Sequence, residues 1–224
     1  MKIQWPSFVQ RNSPANSWKA QLAASNQAAQ FYPTPLSIAR EILELAATTP
    51  DDTVYDPGSG DGRIPILAAQ EFGCRAVGIE IDRSLFSHSA ARAAELGLAD
   101  RVRFEQANLF TADYRSATVV TLYLLSIVNE QLQPRLASHL RNGARIVSLD
   151  FPIPGWKPDS VVPVRSVLDV AYTLYLYRRR FSGARAICLA NNLESGTCSP
   201  DDPPRPWQFG DYRQDLPLWQ QDAY

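Results

Sequence analysis

The segment Val54–Arg63, VYDPGSGDGR, sets Gly58, Gly60 and Gly62 behind an acid at Asp56 and places a second acid, Asp61, inside the turn. Glycines at alternate positions let a chain turn sharply from a strand into a helix and let a ligand approach the backbone closely. A dinucleotide fold would show G-x-G-x-x-G, with a pyrophosphate on the helix N-terminus. Here the spacing is D-x-G-x-G-x-G, and two carboxylates stand where a pyrophosphate would lie. That chemistry suits a ligand whose end near the loop carries an ammonium group. S-adenosylmethionine carries one, together with a carboxylate for backbone N–H groups and a cationic sulfonium.

Two more strand ends fit the same ligand. Glu80, in GIEID, lies eighteen residues after Gly62, where an acid can bind both ribose hydroxyls. Taken alone, Glu80 reads equally as a solvated acid, and the glycine loop upstream is what favours ribose. Asn108, in EQANLF, offers a polar side chain and adjacent backbone to an adenine edge, although alone it reads as a turn residue. Ser59, Ile81 and Leu109 flank these positions and complete the cofactor set.

The elements that must hold these residues alternate. TPLSIAREILELAA predicts a helix with Thr34 as N-cap and Pro35 at its first position. TVYD, RAVGIEI, RVRFEQ, the long apolar run ATVVTLYLL and ARIVSLDF read as strands. RIPILAAQEF, SLFSHSAARAAEL and NEQLQPRLASHL read as helices, with Pro134 expected in the first turn of the last or kinking it. Such alternation implies right-handed crossovers and a mostly parallel sheet with helices on both faces. FPIPGWKPD then reads as a loop and VLDVAYTLYLYRRR as a β-prone run, with another strand suggested in ARAICLA.

The chain of 224 residues is long enough for a proper core. We expect an N-terminal arm over 1–30, a catalytic domain over 31–185 and a proline- and aromatic-rich extension over 186–224. A net charge of −1 provides no global field for nucleic acid or an anionic membrane. Cys74, Cys188 and Cys198 are odd in number and lack C-x-x-C spacing, which argues against a disulfide framework and a thiolate metal site. His88 and His139 lie far apart, so no metal is expected. No stretch is apolar enough for a signal peptide or membrane span, and a cytoplasmic location is expected.

DPGSGDGR, GIEID, NLF and VTLYLL together resemble the motif series of class I S-adenosylmethionine-dependent methyltransferases, over about residues 31 to 180. FYPTP, DPGSGDGRI and FPIPGW resemble, more narrowly, the bacterial branch related to the lysine methyltransferases of the ATP synthase c-subunit. The resemblance implies a Rossmann-like α/β fold with a mostly parallel seven-stranded sheet containing an antiparallel strand. It also implies that Asp56, Gly58, Gly60 and Asp61 cradle the methionine part, Glu80 the ribose and Asn108 the adenine, with Tyr32 and Thr34 closing over from the arm. Pro57 and Asn108 depart from the usual residues, and LYLL stands where many amino-group methyltransferases of DNA and glutamine carry N-P-P-Y. The implied activity is direct methyl displacement, with a protein lysine as the leading acceptor. A small molecule, or a non-catalytic cofactor-binding module, is the alternative, and no nucleic-acid substrate is expected. No catalytic acid or base is assigned. Phe31, Tyr32, Tyr123, Asn129 and Trp156 are candidates for the acceptor site, and Arg178–Arg180 read as a solvated strand end.

Overall fold

The computed structural model describes residues 32–180, which form a seven-stranded sheet with helices on both faces. The strands are β1 (Thr53–Pro57), β2 (Arg75–Glu80), β3 (Val102–Gln106), β4 (Val119–Leu122), β5 (Arg145–Leu149), β6 (Ser160–Arg165) and β7 (Ala171–Arg178). The helices are α1 (Leu36–Leu45), α2 (Arg63–Phe72), α3 (Arg83–Glu95) and α4 (Ser126–His139). The strand order is β3-β2-β1-β4-β5-β7-β6. β1 to β5 run parallel, and β7 is antiparallel to both its neighbours. The order reverses between β1 and β4, so their carboxyl ends diverge into a crevice, the usual ligand position in an open α/β sheet.

Both faces of the sheet are covered, which is why its central strands read as unbroken apolar runs. Val54, Val119, Val147, Leu149 and Leu174 pack under α1, α2 and α3 through Ile38, Leu43, Ile64, Leu67 and Ala93. Tyr55, Val120, Leu122, Ile146 and Tyr175 pack under α4 through Val128, Leu132 and Leu136.

Several local expectations shift. Helix α1 begins at Leu36, with Pro35 in the cap position and no capping side chain, so Thr34 is not the N-cap. β4 ends at Leu122 rather than running on to Leu125, because the chain leaves the sheet there and enters α4 at Ser126. Pro134 consequently lies inside α4 rather than in its first turn. The β-prone run after residue 166 starts as a hairpin turn: Val167 and Leu168 are exposed, Asp169 has a φ of 59°, and β7 begins at Ala171. β6 was not foreseen, since Pro163 falls within it. It is tolerated because β6 lies at the sheet's edge, where one row of N–H groups needs no partner. Within Arg178–Arg180 the middle residue is buried, its Nη2 donating to the Ala137 carbonyl of α4 at 2.8 Å. The arm up to Phe31, the suggested strand ARAICLA, Cys188, Cys198 and the aromatic extension lie outside the described residues.

Candidate active site

The glycine loop joins β1 to α2 and adopts left-handed backbone throughout its glycines, with φ of 77° at Gly58, 55° at Gly60 and 77° at Gly62. The amides of Gly58 and Ser59 both donate to the Ile79 carbonyl, at 2.7 and 3.0 Å, and so bind the loop to the tip of β2. Gly62 serves packing rather than ligand approach. A Cβ there would stand 2.5 Å from the Phe104 ring and 2.7 Å from Ser89. Gly78 on β2 makes room for the same ring, so β3 and α3 fix the shape of the loop from behind.

Glu80 and the loop form one unit. The buried Glu80 carboxylate accepts the Gly60 amide at 2.8 Å through Oε2 and the Asp82 amide at 2.9 Å through Oε1. Each carboxylate oxygen retains a further lone pair for a hydroxyl. Asp82 in turn caps α3 by accepting the amides of Ser84 and Leu85.

The two loop acids differ in role. Asp56 is buried and accepts the Thr121 hydroxyl at 2.6 Å. Burial, reinforced by the charges of Glu80 and Asp61, pushes its carboxyl up to about 7 against the opposing Thr121 hydrogen bond. Asp61 is already neutralised, because Arg63 donates to both of its oxygens, at 2.9 Å from Nε and 2.5 Å from Nη2. Burial raises the Asp61 carboxyl, but the hydrogen bonds and charge of Arg63 outweigh it and hold the group below the usual carboxylate range. Arg63 Nη1 donates to the Thr34 carbonyl at 2.8 Å, which locks the segment preceding α1 against the loop. The Ser59 hydroxyl is buried beside Gly78 and has no hydrogen-bond partner among the described residues.

At the β3 exit, Asn108 forms a turn, its Oδ1 accepting the Phe110 amide at 2.9 Å. Asn108 is exposed and follows the end of β3, which pairs with Glu80 through Gln106. Leu109 is buried, its carbonyl accepting the Tyr114 hydroxyl at 2.6 Å, and Ile81 is half-buried after Glu80.

The candidate acceptor residues separate. Tyr32 stands edge-on to Tyr123, with ring centroids 6.3 Å apart, and the Phe151 ring lies 6.5 Å from Tyr123. Trp156 is not part of this group. It packs edge-on to Tyr177 at 6.1 Å on the α4 face of the sheet, whereas Tyr123 packs on the opposite face. Asn129 is buried at 1 % exposure and donates to the Phe151 carbonyl at 2.9 Å, tethering the post-β5 loop to α4 rather than lining a cleft. Phe151, Asp150 and Tyr172 were missed in the sequence. Asp150 and Phe151 read as the end of a strand, and Tyr172 as one of several alternating tyrosines. A separate cleft of about 530 Å³ opens at the amino ends of β1 to β3, beside Arg75, Arg101 and Arg103. It lies across the sheet from every residue of the glycine loop, so we assign the site to the carboxyl edge.

A protein-lysine N-methyltransferase of Saccharolobus islandicus (strain REY15A) is 42% identical over 148 residues, which cover 66% of this chain and 91% of that protein. The chain belongs to the class I S-adenosylmethionine-dependent methyltransferases. The family model of the ANTKMT methyltransferase domain matches residues 56–160 of the enzyme. A lysine N-methyltransferase of the ATP synthase c-subunit, from Xenopus laevis, is 36% identical over 58% of this chain and 57% of its own length, so the methyltransferase spans little more than half of that relative. Among solved structures, one described as an RNA methyltransferase from Salinibacter ruber in complex with S-adenosyl-L-homocysteine superposes with a TM-score of 0.63. It is 44% identical and covers 67% of this chain and 95% of its own. S-adenosylmethionine is the cofactor of the methyltransferase. Its seven-stranded sheet is the expected Rossmann-like one, and among the described residues no helix is long and apolar enough to cross a membrane.

Proposed function

We propose that this methyltransferase methylates a lysine side chain of a protein. The observation that carries the reading is the 42% identity to a protein-lysine N-methyltransferase across almost the whole of that relative. Lysine methyltransferases of the ATP synthase c-subunit and of the adenine nucleotide translocase support it.

The buried donor and acceptor set fits the cofactor. Gly58 and Gly60, which carry no side chains, leave room for its amino-acid end, and Asp56, a buried carboxyl among other acids, takes the ammonium. Glu80, fixed by the Gly60 and Asp82 amides, holds the ribose hydroxyls. Ile81 and Leu109 flank the adenine, whose edge meets the Asn108 amide. The orphaned Ser59 hydroxyl supplies one more donor, and Gly62 sustains the loop. Asp61 acts through Arg63 and the Thr34 carbonyl, and so holds Tyr32 near the site.

S-adenosylmethionine would supply a methyl carbon made electrophilic by its sulfonium, with neutral S-adenosylhomocysteine as the leaving group that keeps the C–S electron pair. The enzyme therefore needs no metal. Its own residues must bring a neutral amine into line and exclude water. The half-buried Tyr123, with the exposed Tyr32 ring edge-on to it, provides an aromatic wall that lowers the dielectric around the amine, which favours its neutral form.

RNA is the second reading, favoured by the description of the Salinibacter structure. The acceptor edge speaks for protein, because it carries the Asp150 carboxylate, whose charge raises the Tyr123 phenol beyond what burial does, and Arg63 is already bound to Asp61. Transfer of a tritiated methyl group into a cell lysate separates the two. Label released by protease and recovered as methyl-lysine supports the proposal, and label released by ribonuclease overturns it.

A further inference from the structure

The acceptor edge holds a carboxylate outside the cofactor motifs. β5 ends at Leu149, and Asp150 follows it with a φ of 59°, a left-handed backbone that aspartate tolerates better than most side chains. β7 clamps it there from two directions. The Asp150 amide donates to the Thr173 carbonyl at 2.8 Å, and the Thr173 amide donates to Asp150 Oδ1 at 2.8 Å. The other oxygen, Oδ2, accepts no hydrogen bond among the described residues.

Asp150 is also without a counter-charge. Asp52 and Asp61 pair with Arg145 and Arg63, and the exposed Asp159 pairs with Arg180; the buried Asp56 and Glu80, both in the cofactor motifs, form no ion pair among the described residues. No cation pairs with Asp150 among the described residues. Rings gather around it instead. Phe151 adjoins it in the chain, Tyr123 lies against Phe151 and Tyr32, and Tyr172 shares the core face of Tyr123. The Thr173 that holds Asp150 adjoins Tyr172 in β7, and the Asp150 charge adds to the burial that raises the phenols of Tyr123 and Tyr172. An anion fixed among aromatic faces, at the exit of β5 beside the β1/β4 crevice, matches an organic cation in charge and in shape.

We propose that Asp150 is the anionic seat for the acceptor lysine, receiving its ammonium group among Tyr32, Tyr123 and Tyr172 and so selecting a cationic primary amine over an uncharged acceptor. This rests on the protein-lysine reading above. Asp150 binds and orients the ammonium; its charge favours the protonated form and the aromatic walls oppose it, and the proton leaves to solvent at the exposed Tyr32 edge before the lone pair attacks.

Asp150→Asn is the informative variant, because asparagine accepts left-handed backbone and keeps the bond to the Thr173 amide. Tritiated methyl transfer is followed into an intact lysate and into one whose lysines have been acetylated, alongside calorimetry with S-adenosylhomocysteine. n-Butylammonium and n-butanol serve as probes of the seat. The expected result is labelling of the intact lysate only, inhibition of wild type by n-butylammonium but not by n-butanol, and unchanged S-adenosylhomocysteine affinity in D150N. The variant's initial rate should fall at least tenfold, and n-butylammonium should no longer inhibit it. A wild-type rate in D150N, with inhibition intact, overturns the seat while leaving the lysine reading standing. Equal labelling of the acetylated lysate overturns the lysine reading itself. Loss of S-adenosylhomocysteine binding in D150N also overturns the seat, because Asp150 would then serve the cofactor side. If D150N does not fold, titration of n-butylammonium into the wild-type complex with S-adenosylhomocysteine decides. Binding to the amine and not to the alcohol supports the seat, and equal or absent binding overturns it.

Discussion

Arg63 Nη1 donates to the Thr34 carbonyl at 2.8 Å, joining the end of the glycine loop to the segment that carries Tyr32. The same guanidinium grips Asp61, so one side chain couples the glycine loop to the segment before α1. Arg63→Met leaves the Thr34 carbonyl and the Asp61 carboxylate without this partner, at about 1–3 kcal/mol for each group left wanting. Faster amide exchange across residues 32–36 and a weakening of S-adenosylhomocysteine binding by about tenfold, or ~1.4 kcal/mol, are expected. Exchange measured by mass spectrometry and unchanged from wild type would show that the coupling is idle.

Asp56 gives the enzyme a pH signature. Burial first, then the charges of Glu80 and Asp61, bring its carboxyl up to about 7, and an ammonium beside it favours the ionised form. Affinity for S-adenosylhomocysteine should therefore climb about tenfold between pH 6 and pH 8 and release a proton on binding. Without ligand the sign reverses. A carboxyl whose folded value lies above its unfolded value of 3.8 stabilises the fold less as pH rises towards 7. Asp56→Asn should bind weakly at every pH and show neither slope, as calorimetry in two buffers and thermal melts at pH 5 and 8 would reveal.

Gly62 and Gly97 offer a matched pair. Both have positive φ, but a Cβ on Gly62 meets the Phe104 ring and Ser89, whereas one on Gly97 meets nothing within 4 Å. Gly97→Ala should cost only backbone strain, about 1–2 kcal/mol. Gly62→Ala adds overpacking of about 1–3 kcal/mol to that strain. Urea unfolding of the two variants checks the order, and equal midpoints would show that the Phe104 ring yields freely.

Far from the crevice, Asp52 accepts the Thr118 hydroxyl at 2.7 Å and the Thr49 amide at 2.8 Å, and it pairs with Arg145. Burial raises its carboxyl, but those hydrogen bonds and the Arg145 charge outweigh burial and leave it below its ordinary 3.8. It thus contributes stability above pH 4 that is lost as pH falls through the lower folded value. Arg145→Met should destabilise the protein by about 3–5 kcal/mol at pH 7, less at pH 3, with S-adenosylhomocysteine affinity unchanged in the folded protein. A variant as stable as wild type at pH 7 would remove the pair from the enzyme's stability.

Local signals in the chain were enough for the glycine loop and the alternation of elements. The glycine spacing, Asp56 and Glu80 are local signals: each states what a short strand–turn–helix must do, and the structure joins Glu80 to Gly60 directly. The α2 helix RIPILAAQEF has its expected bounds because Gly62 and Gly73 end it on both sides with left-handed backbone. Where local signals competed, tertiary structure decided. The apolar run after Val119 reads as one strand, but the sheet keeps only four of its residues and gives the next to a turn and α4. Thr34 looks like a helix cap, yet the helix starts beyond it, and its carbonyl instead serves Arg63. Trp156 and Tyr123, both plausible neighbours of a substrate, lie on opposite faces of the sheet. Asp150 carried no local signal at all, because what marks it is the antiparallel return of β7, which clamps one oxygen and brings Tyr172 near it. Short-range backbone chemistry is written in neighbouring residues, whereas the grouping of Tyr32 before α1, Tyr123 after β4, Asp150 after β5 and Tyr172 in β7 exists only once the sheet has brought them together.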